Sequence, residues 1–290
     1  DRLKSTKKLD IERTSNDYNF LGNGRKPYYM LNLLSKQSIP EGGEDGSAGF
    51  LFFETADGYQ FKSIDKLFDQ PQKKSYVFNN STDVKQTPIG YDGKILDHQS
   101  DSSINVQSKM NIGAYKTKLV MFDPFNCKYV VDEKTADEAV EKKKVKLAGK
   151  KLPKFNEKFN TPTKDYTRTT FMLLDSGTLP AGATETQIKE NQKDNFKAAQ
   201  TLNQAIRRYN QLFSGMMEIT IAGDFSLHAG DVIFVDIFSV QAEKDDTLNR
   251  ESGGLYIIAD LCHYVSSEGT YTKLNLARDS FGRKGNHSKR

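Results

Sequence analysis

Hydrophobic positions in this chain come in short blocks set between long polar stretches. After the turn cluster Gly22-Asn23-Gly24, Pro27 opens the run from Tyr28 to Leu34. Alternation through Tyr28, Met30, Asn32 and Leu34 would make it a strand. The spacing by three of Tyr28, Leu31 and Leu34 favours a short helix, and proline suits a first helical position because that amide has no partner to lose. Residues 40–49 read as loop. Phe50 to Glu54 is an apolar run, Asp57-Gly58 a hairpin signal, Tyr59, Phe61 and Ser63 continue by alternation, and Ile64, Leu67 and Phe68 fit one helical turn. Segment 50–68 therefore reads as strand, turn, strand, short helix. Residues 71–117 are too polar to show a pattern.

Lys118 to Phe122, closed by Asp123-Pro124, and Tyr129 to Val131 are strand candidates. Residues 132–151 are nearly all charged, acids first and lysines after, which is the order that the dipole of a short solvated helix favours. Thr169 to Leu174 reads as a strand. Over 187–213, Phe196, Ala199, Leu202, Ile206, Tyr209 and Phe213 recur by three and four, one face of a long amphipathic helix, with Gly215 placed as its C-terminal cap. The rest is strand and turn. Met217, Ile219 and Ile221 alternate, and Val232 to Phe238 is continuous enough for a strand buried on both faces. Leu255 to Val265 turns at Ser267-Glu268-Gly269 into Tyr271 to Ala277, a hairpin. The final basic residues, 281–290, read as a loose tail.

Composition narrows the classes. The 290 residues hold 42 Lys+Arg against 38 Asp+Glu, a formal charge of +4, without the concentrated excess of a dedicated nucleic-acid binder. Phe, Tyr, Leu and Ile recur throughout, against full disorder. No apolar run approaches the ~20 residues that span a bilayer. Two cysteines cannot staple a chain of this length. Cys127 and Cys262 sit in apolar sequence and are expected to be buried free thiols, which fits a reducing compartment.

Chemistry is sparse. The sequence shows no phosphate-binding glycine loop, nucleophile elbow, HExxH or CxxC. Asp97-His98 with Asp101 nearby is the best candidate for a base or metal site, but no second histidine has ligand spacing, and an exposed loop is the default. His263 beside Cys262 is mid-strand, so the two side chains point to opposite faces and His263 is expected to be a satisfied sheet histidine. His228 falls at a turn and Asp245-Asp246 in a loop with no apolar pocket to shift a pKa. Lysines at 142–144, 146, 150 and 151 make either a solvated face or a patch for an anionic partner; the acids just before them favour the first. Aromatics interleaved with lysines over 59–66 read as core alternation rather than single-strand nucleic-acid binding.

Four segments resemble the baseplate hub subunit of contractile-tailed, myovirus-type bacteriophages: 9–40 with Tyr18-Asn19-Phe20-Leu21-Gly22-Asn23 and Arg25-Lys26-Pro27-Tyr28; 49–68 with Phe52-Phe53-Glu54, Gly58, Phe61, Ser63, Leu67 and Phe68; 227–237 with Gly230-Asp231; and 253–280 with Gly254, Tyr256, His263, Tyr271, Leu276, Arg278 and Asp279. They cover about a third of the chain, and 70–215 has no match motif by motif. The resemblance implies an α+β, β-rich fold of tail-tube-like β-barrel domains with an inserted mixed, helical accessory region. On it, 1–69 belongs to a first or second barrel whose N-terminal portion is missing, since the chain starts at Asp1 well inside the family protein; 70–215 is the accessory region; 216–280 completes a C-terminal barrel; and 281–290 is the tail. It implies a homotrimer whose six barrels adapt a sixfold tube to a threefold spike, related to the hub module of type VI secretion spike proteins. The implied partners are other copies, the central spike or needle protein, the tail tube protein, baseplate wedges and the tape measure. The resemblance further implies that DNA passes without specific binding, that no cofactor is needed and that there is no membrane anchoring. It implies a place in the virion baseplate, assembled in the host cytoplasm. On it the motif residues named above are expected to be structural and the protein not to be an enzyme. The alternatives are a tail-tip enzyme degrading cell-wall glycan through Asp97, His98 and Asp101, and a nucleic-acid-contacting channel protein.

Overall fold

A computed structural model describes residues 5–15, 18, 20–42, 48–78, 92–100, 105–136, 145–150, 152–153, 165–175, 178, 181–195 (191–195 by backbone only), 198–237 and 253–284. The elements in chain order are β1 (Lys8–Ile11), α1 (Pro27–Gln37), β2 (Phe50–Glu54), β3 (Gly58–Ser63), α2 (Ile64–Asp69), β4 (Lys74–Phe78), β5 (Ile95–Ser100), α3 (Val106–Asn111), β6 (Lys116–Asp123) and β7 (Lys128–Thr135). Then come β8 (Arg168–Leu173), α4 (Thr184–Asn195), α5 (Ala198–Leu212), β9 (Gly215–Ala222), β10 (Val232–Ile237), β11 (Gly254–Val265) and β12 (Thr270–Arg278). The fold is α+β and rich in strand. Among the described residues no helix is long and apolar enough to cross a membrane.

The chain packs as two units, each discontinuous in sequence. The first takes Asp1–Ile64, Val106–Val145 and Lys154–Asn210; the second takes Asp65–Asn105, Lys146–Pro153 and Gln211–Arg290.

The first unit holds two three-stranded sheets, β1-β3-β2 and β7-β6-β8. Pro27 starts α1 after the extended Lys26, as the spacing predicts. β2 and β3 pair antiparallel, and β1 joins β3 in parallel. Ser63 fixes the end of that sheet, its amide and hydroxyl donating to the Glu12 carboxylate at 2.7 and 3.1 Å. In the other sheet, every second residue of β6 is buried, and Leu119 and Met121 pack with Ala199 and Leu202. The apolar stripe of α5 therefore meets β6. Polar bonds set its register: the Asn203 side-chain amide donates to the Asp132 carboxylate at 2.7 Å, and Arg207 donates to the Thr135 carbonyl at 3.1 Å. The Tyr209 hydroxyl donates to the Phe50 carbonyl.

The second unit is built on one six-stranded sheet, β4-β10-β11-β12-β9-β5. β4 runs parallel to β10 and the remaining pairs are antiparallel. Its two edge strands meet: Val77 bridges Lys94, and the Val77 amide donates to the Gly93 carbonyl at 2.9 Å. The sheet thus closes on itself at one end, which removes exposed edges there. Register shifts at Ile258/Asp260 and Ile95/Asp97 supply the local bends that closure needs. All six strands feed one core, including Tyr76, Ile95, Ile219, Ile233, Tyr256 and Leu274. All of β10 is buried, as its apolar run predicts; on the other face Arg283 lies over Phe234 and pairs with Asp236 at 3.1 Å.

Several expectations change. The sequence 216–280 supplies four barrel strands, and β4 and β5, from the stretch that shows no pattern, supply the other two. β5 hides because only its inward positions need be apolar, and in ILDHQS only Ile95 is fully buried. The helix expected over 132–151 gives way at both ends: Asp132 to Thr135 extend β7 because pairing with β6 satisfies their backbone groups, 145–150 are irregular with Val145, Leu147 and Ala148 buried, and 137–144 lie outside the described residues. The helix expected over 187–213 appears as α4 and α5, with Phe196 outside the described residues and Phe213 past the end and exposed. Gly215 starts β9 rather than capping the helix. A Cβ there would sit 3.1 Å from the Arg278 side chain and from the Phe281 ring, so close packing accounts for this glycine. Residues 281–284 are pinned rather than loose: the Phe281 carbonyl accepts the Lys150 amide at 2.8 Å, and Lys284 donates to the Leu147 carbonyl at 2.8 Å. Residues 285–290 lie outside the described residues.

Candidate interaction surfaces

The first unit holds a groove of about 900 Å³ between α1 and the β1-β3-β2 sheet. Register places Leu9 beside Tyr59, Ile11 beside Phe61, and Phe52 across from Phe61, all on the sheet face that forms its floor. Tyr28, Leu31 and Leu34 of α1 form one wall. Tyr28 packs against Phe52 with ring centroids 5.5 Å apart, and Phe52 stacks on Tyr59 at 6.1 Å. The rim is polar. Lys7 pairs with Glu54, a hydrogen bond that raises the lysine pKa above its usual value, and the Tyr28 hydroxyl donates to Glu54 at 3.4 Å. At the far end Tyr18 donates to the Asp175 carbonyl at 3.4 Å; burial, helped by the Asp175 carboxylate, pushes its phenol up to about 12. Leu9 and Ile11 are exposed although both are large and apolar.

The second surface is the outer face of β7-β6-β8. Register puts Val120 between Val131 and Phe171, and Phe122 between Tyr129 and Leu173, all on the face turned away from α5. Tyr129 is 69% exposed, Val131 56%, Phe171 75% and Leu173 70%. The opposite end of the face is polar, with Lys116 paired to Glu133 at 2.9 Å. Neither surface was legible as such. Alternation marks a face as buried without saying by what, and three consecutive apolar residues at 129–131 look like core.

The family-motif residues fall into two groups. Gly22 and Asn23 form the turn before α1, Lys26 and Pro27 start that helix, and Phe52, Glu54 and Phe61 belong to the groove. Gly58 (φ +151°) lets β1 approach β3, since a Cβ there would lie 2.2 Å from the Lys8 carbonyl oxygen. Phe53 is half-buried on the other side of β2, Ser63 holds Glu12, and Leu67 and Phe68 are buried in α2. Leu67, Phe68 and the remainder lie in the second unit. Gly230 accepts from the Gln70 amide at 2.6 Å, and Asp231 pairs with Lys73 at 2.7 Å. Arg278 is sandwiched between the Tyr256 and Phe281 rings, 4.7 and 4.4 Å from their centroids, and donates to the Gly253 carbonyl. Asp279 accepts the Ala148 amide at 3.0 Å. Gly254 adjoins this cluster at φ +134°. Leu276 is in the core, Tyr271 is exposed, and the His263 ring has its nitrogen 2.9 Å from the Thr272 hydroxyl and packs at a tilt against Phe225, centroids 4.6 Å apart. His263 is thus a satisfied sheet residue, pointing away from Cys262.

The catalytic candidates do not converge. Asp97 and His98 are on β5 rather than in a loop. Asp97 is exposed, while the His98 ring packs 4.1 Å from that of Phe78. Asp101 and Asp245-Asp246 lie outside the described residues. Among the described residues no three His, Cys, Asp or Glu are grouped to hold a metal. His228 sits at its turn, its amide bonded to Asp231. Of the lysine run, Lys146 pairs with Asp69 at 3.3 Å, and Lys150 is tied to Phe281 through its amide; 142–144 and 151 are outside the described residues. Tyr59 and Phe61 line the groove, so their alternation marks a half-open face rather than core. Cys127 and Cys262 are both exposed, contrary to the burial expected. Cys127 sits in the β6–β7 turn at φ +56°, and Cys262 is on the outward side of β11.

No family model matches the chain, and no curated protein matches it. Among solved structures it is similar to the tail protein from Neisseria meningitidis MC58, at 10% identity and TM-score 0.37, over 77% of this chain and 48% of that one. It is also similar to the 43 kDa tail protein of prophage MuSo2 from Shewanella oneidensis, at 11% identity and TM-score 0.43, over 96% of this chain and 61% of that one. The chain spans about half the length of the first and three fifths of the second.

Proposed function

We propose that this chain is a structural protein of a phage tail, a baseplate hub subunit that forms a homotrimer between the sixfold tail tube and the threefold central spike. The observation that carries this reading is the barrel of the second unit. Its interior is filled by side chains from six strands, so it is a wall and not a pocket. The motif residues Gly254, Tyr256, Arg278 and Asp279, which underlie the resemblance, gather at one cluster in that unit and do architectural work there. Copies of such a barrel set around an axis make a channel, and symmetry matching is then a matter of interfaces rather than catalysis. In this reading the protein is not an enzyme and uses no cofactor. It contacts the spike, the tube protein, baseplate wedges and tape measure, lets DNA pass without specific binding, and resides in the virion after assembly in the host cytoplasm. The first unit contributes two three-stranded sheets where the resemblance implies a further barrel.

Light scattering of the purified protein, alone and with its spike partner, tests the reading. A threefold assembly that binds the spike is expected; a monomer indifferent to both spike and tube overturns it. A zymogram on cell-wall glycan covers the enzymatic alternative, and activity lost in Asp97→Asn or His98→Ala would replace the proposal.

A further inference from the structure

The two apolar surfaces of the first unit differ in relief. One projects: Tyr129, Phe171 and Leu173 stand exposed on the outer face of the β7-β6-β8 sheet. The other is concave, floored by Leu9, Phe61 and Phe52 and walled by α1. We propose that copies of this chain join head to tail through these surfaces, the β7-β6-β8 face of one copy seated in the α1 groove of the next. The occupant of the groove is thus a second copy of the same chain.

Area supports a stable contact. With aromatic side chains presenting about 150–250 Å² each, the four most exposed residues of the face offer on the order of 400–500 Å² of apolar surface. That is about half of the ~800 Å² per partner of a standard interface, and more than the few hundred Å² of contiguous apolar surface that monomers ordinarily leave open. Both surfaces have an apolar centre and a polar margin, Lys116–Glu133 on the face and Lys7–Glu54 on the groove, the anatomy of a core with a rim. Two different surfaces meeting make a heterologous contact, the kind that closes a ring of any number, whereas one patch meeting itself gives only a twofold dimer. The inference rests on the proposed ring for its closure, but the surfaces themselves are independent of it.

The test uses exposed positions so that the fold is spared. A face variant carries Phe171→Asp and Leu173→Asp; a groove variant carries Leu9→Lys and Ile11→Lys. Light scattering is expected to show the parent assembled and each variant reduced to a monomer. An equimolar mixture should form a dimer and stop, because one good face remains for one good groove. Variants that assemble like the parent, or a mixture that stays monomeric, overturn the contact while leaving a ring-forming parent intact. A parent that is itself monomeric removes the ring reading and the contact together. Crosslinking guards against misfolded variants: with Cys127→Ser and Cys262→Ser in the background, Leu173→Cys and Leu9→Cys proteins should form a mixed disulfide on mild oxidation. Disulfides only between identical copies would contradict the arrangement.

Discussion

Gly58 shows how one position can decide a strand pairing. Its φ of +151° is costly for any residue with a Cβ, and that Cβ would lie 2.2 Å from the Lys8 carbonyl oxygen. Gly58→Ala should destabilise the first unit by about 1–3 kcal/mol and loosen β1. The readouts are the urea midpoint and faster exchange of the Glu12 amide, which donates to Phe61 at 2.9 Å. Asp224 does comparable work in the second unit. Burial opposes its ionisation, but donation from Lys74 and from the hydroxyl and amide of Ser226 prevails and holds its carboxyl down at about 2. The Tyr76 hydroxyl, 3.1 Å from the same carboxylate, has its pKa raised by burial and by that charge. A carboxyl whose folded pKa lies below its unfolded value near 4 stabilises fully above that value, and the contribution fades as pH falls toward 2. Asp224→Asn should therefore cost about 1–2 kcal/mol at pH 7 and little near pH 2, as measured by denaturation across that range.

At the level of elements, α5 is the strut of the first unit. Leu202→Ala should remove about 2–4 kcal/mol, because Leu119 and Met121 cannot collapse into the space without moving β6; the urea midpoint measures it. The stripe of α5 was readable because it combines a clear period with enough length. The β2–β3 hairpin and the β11–β12 hairpin were readable because turn chemistry and alternation agree there. β4 and β5 were not: β5 has polar outer positions, the apolar run of β4 is only three residues long, and the partners of both are remote in sequence. Asp132 to Thr135 misled because charge order suits a helix, while the pairing that makes them strand depends on β6. Of the surfaces, the aromatic residues of the groove were visible and its openness was not. Whether an apolar face is covered by the same chain is a tertiary fact.

For the molecule as a whole, the C-terminal segment matters more than its polar composition suggests. Deleting 281–290 takes away the Phe281 ring from Arg278, Arg283 from Asp236, and Lys284 from the Leu147 carbonyl. A loss on the order of 2–4 kcal/mol is expected, read as a lower melting temperature of the second unit. The barrel of that unit carries a further consequence. Lys74 pairs with Ile233 and Ile95 with Ile221, so strands translated early must wait for partners that leave the ribosome much later. Such long loops delay closure, and folding driven by remote pairing is slow. Until β9 to β12 arrive, β4 and β5 are unmatched strands on a nascent chain, open to pairing with neighbours on the same message. High-level synthesis should therefore favour aggregates that slower translation or a chaperone relieves, and the barrel is completed by the strands that have waited longest.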